Sequence, residues 1–115
     1  MHEFSVVRTL LAQINDIARR NTAVVSEVRV SIGEFSGVDA DLLQSAFEQL
    51  ARESSAEHAR LKIERTKLQA RCEACDADFP VCGFRFVCPL CRGSNVRIVR
   101  GEELMLESVL LETEQ

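Results

Sequence analysis

The chain has 115 residues, of which 46% are apolar and 28% are charged, and its formal charge at pH 7 is −4. This composition is typical of a globular domain and argues against a disordered chain, and no apolar run approaches the length of a bilayer span. The acidic balance argues against general affinity for nucleic acid, which depends on neutralising phosphates. No basic region followed by an apolar segment opens the chain, and five cysteines suit a reducing compartment, so we expect a cytoplasmic protein.

The first half of the chain predicts two helices and one strand. Apolar residues recur at intervals of three and four over residues 4–20, which predicts an amphipathic helix. Apolar and polar residues then alternate over 24–32, the pattern of a half-buried strand. Two glycines in residues 33–37 favour a turn. The acids Asp39 and Asp41 then mark the start of a second helix, whose buried stripe is Leu42, Leu43, Ala46, Phe47, Leu50 and Ala51.

The second half predicts three more strands around a cysteine-rich segment. Residues 59–70 alternate and then shift phase, as a strand with a bulge would. A short strand is predicted at 96–99, and the alternation over 103–112 predicts a final strand that returns to the first core. The expected fold class is therefore α+β, with two helices packed on a three-stranded sheet and an inserted zinc-ribbon lobe. We expect one domain from residues 1–70 with 98–115 and a zinc-ribbon domain at 71–97.

The cysteine-rich segment carries the strongest motif. Cys72 and Cys75 form one Cys-x-x-Cys pair, and after twelve residues Cys88 and Cys91 form a second. Two such turns facing each other supply the four thiolates of a tetrahedral structural zinc. The alternative interpretations of the same four cysteines are paired reduced thiols or two disulfides. An all-sulfur site has no open position for water, so its expected role is in folding rather than catalysis. Cys82 lies between the pairs without ligand spacing, and we interpret it as a free thiol.

His2 is a second candidate metal ligand. A histidine at position two can chelate an ion with its imidazole Nδ1, its own backbone nitrogen and the amine of Met1, and Glu3 or its backbone nitrogen completes the set. A planar set of nitrogen donors suits Ni²⁺ or Cu²⁺. The alternative is a frayed terminus with no ligand role. His58, in a polar loop at a helix end, is interpreted as solvated.

The whole pattern resembles the HypA/HybF family of hydrogenase maturation factors. The resemblance is carried by the opening Met1-His2-Glu3, by Ile32-Gly33-Glu34, by Ser45-Ala46-Phe47, by the paired cysteines and by the closing Gly101-Glu102-Glu103-Leu104. Each fragment is weak by itself. Their order in a chain of this length is specific.

The resemblance implies a nickel metallochaperone rather than an enzyme. Its members carry nickel at the N-terminal Met-His-Glu, which here is Met1, His2 and Glu3. An acid at the start of the second helix approaches the nickel in some relatives, and Asp39 matches it, although an N-cap role is the simpler explanation for Asp39. The zinc ligands implied are Cys72, Cys75, Cys88 and Cys91. The implied partners are a HypB-type GTPase and the large subunit of NiFe-hydrogenase, and a urease-maturation factor is a further possible client.

Two other classes of protein compete with this reading. A rubredoxin-like iron carrier also uses four cysteines, but the body of the chain is larger than electron transfer requires. A nucleic-acid-binding zinc ribbon needs exposed cations or stacking aromatics. Residues 71–100 carry five arginines against three acids, and a zinc held by four thiolates cancels that surplus. We therefore expect neither nucleic acid nor a membrane as partner.

Overall fold

The computed structural model describes residues 2–113, with His2 described only through its backbone. The described part contains two helices and six strands: α1 (His2–Arg20), β1 (Ala23–Gly33), α2 (Ala40–Leu50), β2 (Arg60–Thr66), β3 (Gln69–Cys72), β4 (Asp78–Pro80), β5 (Val96–Arg100) and β6 (Leu104–Thr113). The strands form two three-stranded sheets, in the orders β2-β1-β6 and β4-β3-β5. The predicted α+β class is confirmed, and both helices belong to the same compact unit as most residues of the first sheet.

Helix α1 buries one stripe of apolar side chains and ends where its sequence changes. The buried residues recur at three and four, and they are Val7, Leu10, Leu11, Ile14 and Ala18. Arg19 and Arg20 lie in the last turn, where cations offset the negative end of the helix dipole. The Asn21 side chain then donates to the Ile17 carbonyl at 2.8 Å, which satisfies one of the last free carbonyls.

Helix α2 begins at a capping aspartate. Asp39 has an extended backbone, and its Oδ1 accepts hydrogen bonds from the N–H groups of Asp41 at 2.9 Å and Leu42 at 3.1 Å. These two N–H groups have no partner inside the helix, so the cap stabilises the first turn by about 1 kcal/mol. Inward from the cap, α2 buries Leu43, Ala46 and Phe47. Leu42 was wrongly predicted to be part of this buried stripe, because it is 55% exposed.

The second sheet encloses a small core that includes two cysteines. Strand β3 lies in the middle, antiparallel to β4 and to β5, with Ala70 opposite Phe79 on one side and Ile98 on the other. The buried residues of this core are Leu68, Ala70, Cys72, Phe79, Val81 and Cys88. Because Cys72 and Cys88 are part of the core, whatever they bind contributes directly to its packing.

The predicted strand over residues 59–70 is wrong as a single strand. The chain leaves the first sheet after Thr66, at the end of β2, and enters the second sheet at Gln69, at the start of β3. The phase shift read from the sequence marks this change of sheet. The pairing of β3 with β5 also shifts register between Gln69 and Ala70. A break and a bulge change the alternation in the same way, so periodicity does not distinguish them. Strand β4 was not predicted, because three residues are too few to show a period.

Two fragments that are distant in sequence, Ile32-Gly33-Glu34 and Gly101-Glu102-Glu103, meet in space. The Gly33 N–H donates to the Glu103 carbonyl at 2.9 Å, and the Phe35 N–H donates to the Gly101 carbonyl at 2.8 Å. The Glu34 carboxylate accepts from the Leu68 N–H at 2.9 Å. A Cβ on Gly33 would overlap the Gly101 carbonyl and lie 2.8 Å from the Glu102 nitrogen. Glycine is required at position 33 because two backbone segments approach each other there.

Replacing Gly33 by alanine is therefore expected to lower the free energy of unfolding by about 3 kcal/mol, since the overlapping atoms are backbone that no rotamer change relieves. Gly37→Ala is the matched control: its φ is +77° and its Cβ would meet no atom within 4 Å, so only backbone strain of about 1 kcal/mol is expected. Urea unfolding of both variants measures the difference. Equal losses would mean that the close approach at Gly33 is relaxed at little cost.

The chain divides by compactness into two units. One comprises residues 1–31, 38–64 and 105–115, and the other comprises 32–37 and 65–104. The second unit is wider than the predicted zinc-ribbon domain at 71–97. The domain boundaries stay a prediction, because compactness alone does not define parts that fold independently. Within the described residues, neither helix is long and apolar enough to cross a membrane.

Candidate metal centre

Four cysteine sulfurs converge in the second unit. The Sγ atoms of Cys72, Cys75, Cys88 and Cys91 all lie within 4.8 Å of one another. The Cys72 and Cys91 sulfurs are 3.5 Å apart, and the Cys75 and Cys88 sulfurs are 3.6 Å apart. A tetrahedral ion with zinc–sulfur bonds of about 2.3 Å would place its sulfurs about 3.8 Å apart. The cluster therefore fits a metal bound by four thiolates, and its spacing differs from that of disulfides, whose sulfurs lie about 2 Å apart.

The two Cys-x-x-Cys turns have the same backbone geometry. In the first, the Asp76 N–H donates to the Cys72 carbonyl at 2.8 Å, and the Cys72 N–H donates to the Ala77 carbonyl at 2.9 Å. In the second, the Arg92 N–H donates to Cys88 and the Cys88 N–H donates to Gly93, at the same two distances. Asp76 and Arg92 both adopt a left-handed conformation, with φ of 61° and 63°. Each turn thus brings an inner, buried sulfur and an outer, exposed one to the same point.

The backbone of the second turn favours negative charge on sulfur. The pKa of the Cys88 thiol is lowered to about 6, because the Cys91 N–H, then the Leu90 N–H and two neighbouring sulfurs, stabilise its thiolate against the effect of burial. The Ala77 N–H lowers the pKa of Cys75, but the neighbouring sulfurs and burial outweigh it and raise that pKa to about 12. Negative charge on Cys88 thus disfavours a second thiolate nearby, and a divalent cation would remove that repulsion.

The first turns of the two helices meet at Glu3 and Asp39. The Glu3 side chain is only 7% exposed, and its Oε2 accepts a hydrogen bond from the Asp39 N–H at 3.0 Å. This bond joins the start of α1 to the N-cap of α2. Met1 and the side chain of His2 lie outside the described residues, so their predicted ligand roles stay predictions.

Asp39 occupies the N-cap position that the sequence predicted as its simpler role. The cap uses only Oδ1, and the residue is exposed.

The sequence did not predict the hydrogen bond between Glu3 and Asp39. Glu3 was considered only as a ligand, and no local pattern indicates a bond between residues 36 positions apart. The sequence shows only that Glu3 is an acid in the first turn of a helix. That position predicts a favourable interaction with the helix dipole, but it does not predict Asp39 as a hydrogen-bond partner.

The two remaining candidates lie outside these sites. Cys82 is exposed and is not a member of the four-sulfur cluster. The His58 side chain is exposed, with its Nε2 3.7 Å from the Glu57 carboxylate. The structure thus brings the four predicted zinc ligands together and leaves Cys82 apart from them.

Comparison with known proteins shows that nearly the whole chain matches one family. Residues 1–111 match the family model described as HypA, hydrogenase/urease nickel incorporation, metallochaperone. The chain is 40% identical over 115 residues to the hydrogenase maturation factor HypA of Aquifex aeolicus, covering 99% of this chain and 100% of that protein. It is 39% identical over 116 residues to the protein of the same name from Wolinella succinogenes, covering 99% and 98%.

Solved structures show the same fold. The solution structure of the nickel metallochaperone HypA from Helicobacter pylori is similar with a TM-score of 0.72 at 36% identity, covering 97% of this chain and 98% of that one. A second structure, described as the solution structure of HypA protein, is similar with a TM-score of 0.81 at 37% identity, covering 99% and 98%.

Proposed function

Because the chain belongs to the HypA family of nickel-incorporation metallochaperones that mature hydrogenase, we propose that it binds Ni²⁺ at its own N-terminus and delivers it to NiFe-hydrogenase. The observation that carries this proposal is the match to the family over residues 1–111, which includes the opening Met1-His2-Glu3. The chain's role is binding and transfer of a metal ion, without catalysis on a substrate.

The proposed nickel ligands are nitrogens at the start of α1. They are the His2 imidazole Nδ1, the His2 backbone nitrogen and the Met1 amine, with the Glu3 backbone nitrogen completing a planar set. The first N–H groups of a helix have no intrahelical partner, and the positive end of the helix dipole favours ionised backbone nitrogens. Both features support metal binding at this end of α1, which begins at His2.

Glu3 supports this site through its side chain in our proposal. Its carboxylate is buried and already accepts the Asp39 N–H, so it restrains the start of α1 against α2. The first turn of α1 is thereby joined through Glu3 to Asp39, which opposes fraying at this end of the helix. Asp39 caps α2 with Oδ1 alone, and its Oδ2 is not used by the cap, so capping and an approach to nickel are compatible.

The four cysteines are proposed to hold a structural Zn²⁺ in a zinc-ribbon domain at residues 71–97. Their sulfur spacing fits a tetrahedral ion, and two of the four sulfurs belong to the core of the second unit. Four thiolates leave no position for water or substrate, so the ion stabilises the fold and takes no part in nickel transfer.

The proposed partners follow from the delivery role. Nickel passes from this chain to the hydrogenase large subunit with the help of a HypB-type GTPase, and a urease-maturation factor is a second possible recipient. These steps take place in the cytoplasm and involve neither nucleic acid nor a membrane. A terminus with few side-chain ligands suits this task, because a transfer site must release its ion to an acceptor with more donors.

Nickel delivery by a His2→Ala variant tests this function directly. The chain is added to a cell that lacks its own copy of this protein, or to a purified mixture of the GTPase and nickel-free large subunit, and the hydrogenase activity that it restores is measured. We expect the wild-type chain to restore activity and His2→Ala to restore less than about a tenth of it, as expected for loss of a metal ligand. Full restoration by the variant would show that nickel travels by another route.

A further inference from the structure

An exposed cluster of three aromatic rings lies on the second unit. The Phe35 and Phe84 rings are 5.3 Å apart between centroids, and the Phe35 and Phe86 rings are 6.5 Å apart. Phe86 packs against the small core, whereas Phe35 is 41% exposed and Phe84 is 68% exposed. We call these three residues the aromatic cluster. It is anchored on one side and open on the other, which is unusual for phenylalanine.

The backbone holds Phe84 outward. Gly83 and Phe84 both have positive φ, of 60° and 59°. Positive φ is rare for a bulky residue, and two in succession make a sharp left-handed turn. The turn is closed by the Arg85 N–H, which donates to the Cys82 carbonyl at 3.2 Å. Core packing does not explain this conformation, because the ring it displays is two-thirds exposed. Such local strain is concentrated at functional surfaces.

Arg85, which stands between Phe84 and Phe86 in sequence, shares one hollow with Arg92. Arg85 and Arg92 line it together with Cys82, Val87, Cys88 and Pro89. Within residues 2–113, no acidic side chain forms an ion pair with either of them, whereas Arg71 pairs with Asp78 and Arg97 with Glu73. The guanidinium groups of Arg85 and Arg92 therefore have no carboxylate partner among the described residues, and Arg85 stands between two of the aromatic residues in sequence.

We propose that the aromatic cluster and the Arg85–Arg92 hollow form a docking surface for a protein segment that carries an apolar side chain beside carboxylates. The rings accept the apolar side chain, and the guanidinium groups pair with the carboxylates, which is the combination found at the centre of protein interfaces. This inference rests on the proposed function, since it assigns the segment to one of the proteins that take part in nickel delivery. To that function the inference adds which surface of the chain is used and which side chains the partner segment must carry.

The test measures binding of the full-length, zinc-loaded chain to two purified probes, the HypB-type GTPase and the hydrogenase large subunit, at low and high salt. Phe84→Ala is expected to weaken binding to one probe by about 30-fold or more, the level that defines an interface hot spot. Arg85→Glu is expected to weaken the same complex, mainly at low salt, where charge attraction is least screened.

Two controls separate docking from general damage. Leu110→Ala removes an exposed apolar side chain from the first unit, and Arg65→Glu reverses an exposed charge in the second. Both are expected to leave affinity within about threefold of wild type, as for surface changes away from an interface. Zinc content and nickel affinity are expected to be unchanged in all four variants.

The docking inference is overturned if Phe84→Ala and Arg85→Glu bind both probes as tightly as wild type, or if wild type binds neither probe. It is also overturned if Phe84→Ala abolishes only self-association, since the occupant is then a second copy of the chain. A different result would contradict the nickel-carrier function, namely normal nickel delivery by the His2→Ala variant. The two results are independent.

Discussion

A Cys88→Ser variant is expected to lose its metal and the native structure of the second unit. Cys88 is fully buried, belongs to the core of that unit, and has a thiol whose pKa is lowered to about 6 by neighbouring backbone N–H groups. Serine removes a thiolate ligand and places a hydroxyl among apolar side chains. Because structural zinc contributes about 10 kcal/mol or more to the folding of small metal-bound modules, the loss should reach about 5 kcal/mol, among the largest effects of one substitution.

Cys82→Ser is the matched control for this variant. Cys82 lies in the same loop region, is exposed, and is not part of the four-sulfur cluster. It should keep one zinc per chain and stay within about 0.5 kcal/mol of wild type. Zinc content by elemental analysis and amide NMR spectra of residues 65–104 measure both outcomes. A Cys88→Ser protein with full zinc content and an unchanged spectrum would show that three sulfurs suffice.

Nickel affinity is expected to fall by at least about 100-fold in His2→Ala, since loss of even a group that supports a metal ligand commonly costs about 10- to 100-fold. Extra residues ahead of Met1 should have a similar effect, because they convert the terminal amine to an amide and disturb the neighbouring backbone donors. Calorimetric titration of nickel into zinc-loaded protein with a native N-terminus measures both losses. Affinity should also fall in acid, where protons compete for the imidazole.

His58→Ala is the control for the nickel titration. His58 is the second histidine of the chain and its side chain is exposed, so its loss should leave the tight site unchanged. Normal binding by the extended protein, with loss in His2→Ala, would remove the Met1 amine from the ligand set and retain the imidazole. Normal binding by both would contradict the whole N-terminal site.

The helices were predictable because their signals are local. Apolar residues at three and four define the buried side of α1, and Asp39 marks the start of α2, where it caps the helix as expected. The cysteine cluster was predictable for a different reason. Two turns with the same spacing and the same backbone geometry are built from short stretches of chain, so residue spacing alone indicates which sulfurs converge.

The division of strands between sheets was not predictable from periodicity. The alternation over residues 59–70 shifts phase where the chain passes from β2 to β3, as it would at a bulge, and only strand pairing shows that the two strands belong to different sheets. Likewise, the short strand β5 pairs with β3 in the second sheet, and nothing in its own residues specifies that partner. Register and partner choice depend on residues distant in the chain.

The sequence by itself determined the two helices, the convergence of the four cysteines and the family, because each of these is expressed over short spacings or in the order of motifs along the chain. Only the tertiary structure decided which sheet each strand joins, that Gly33 lies against Gly101, that Glu3 is bonded to Asp39, and that Phe35 joins Phe84. The physical reason is that these contacts join segments tens of residues apart. Their energies depend on burial and close approach, which exist only once the chain has folded.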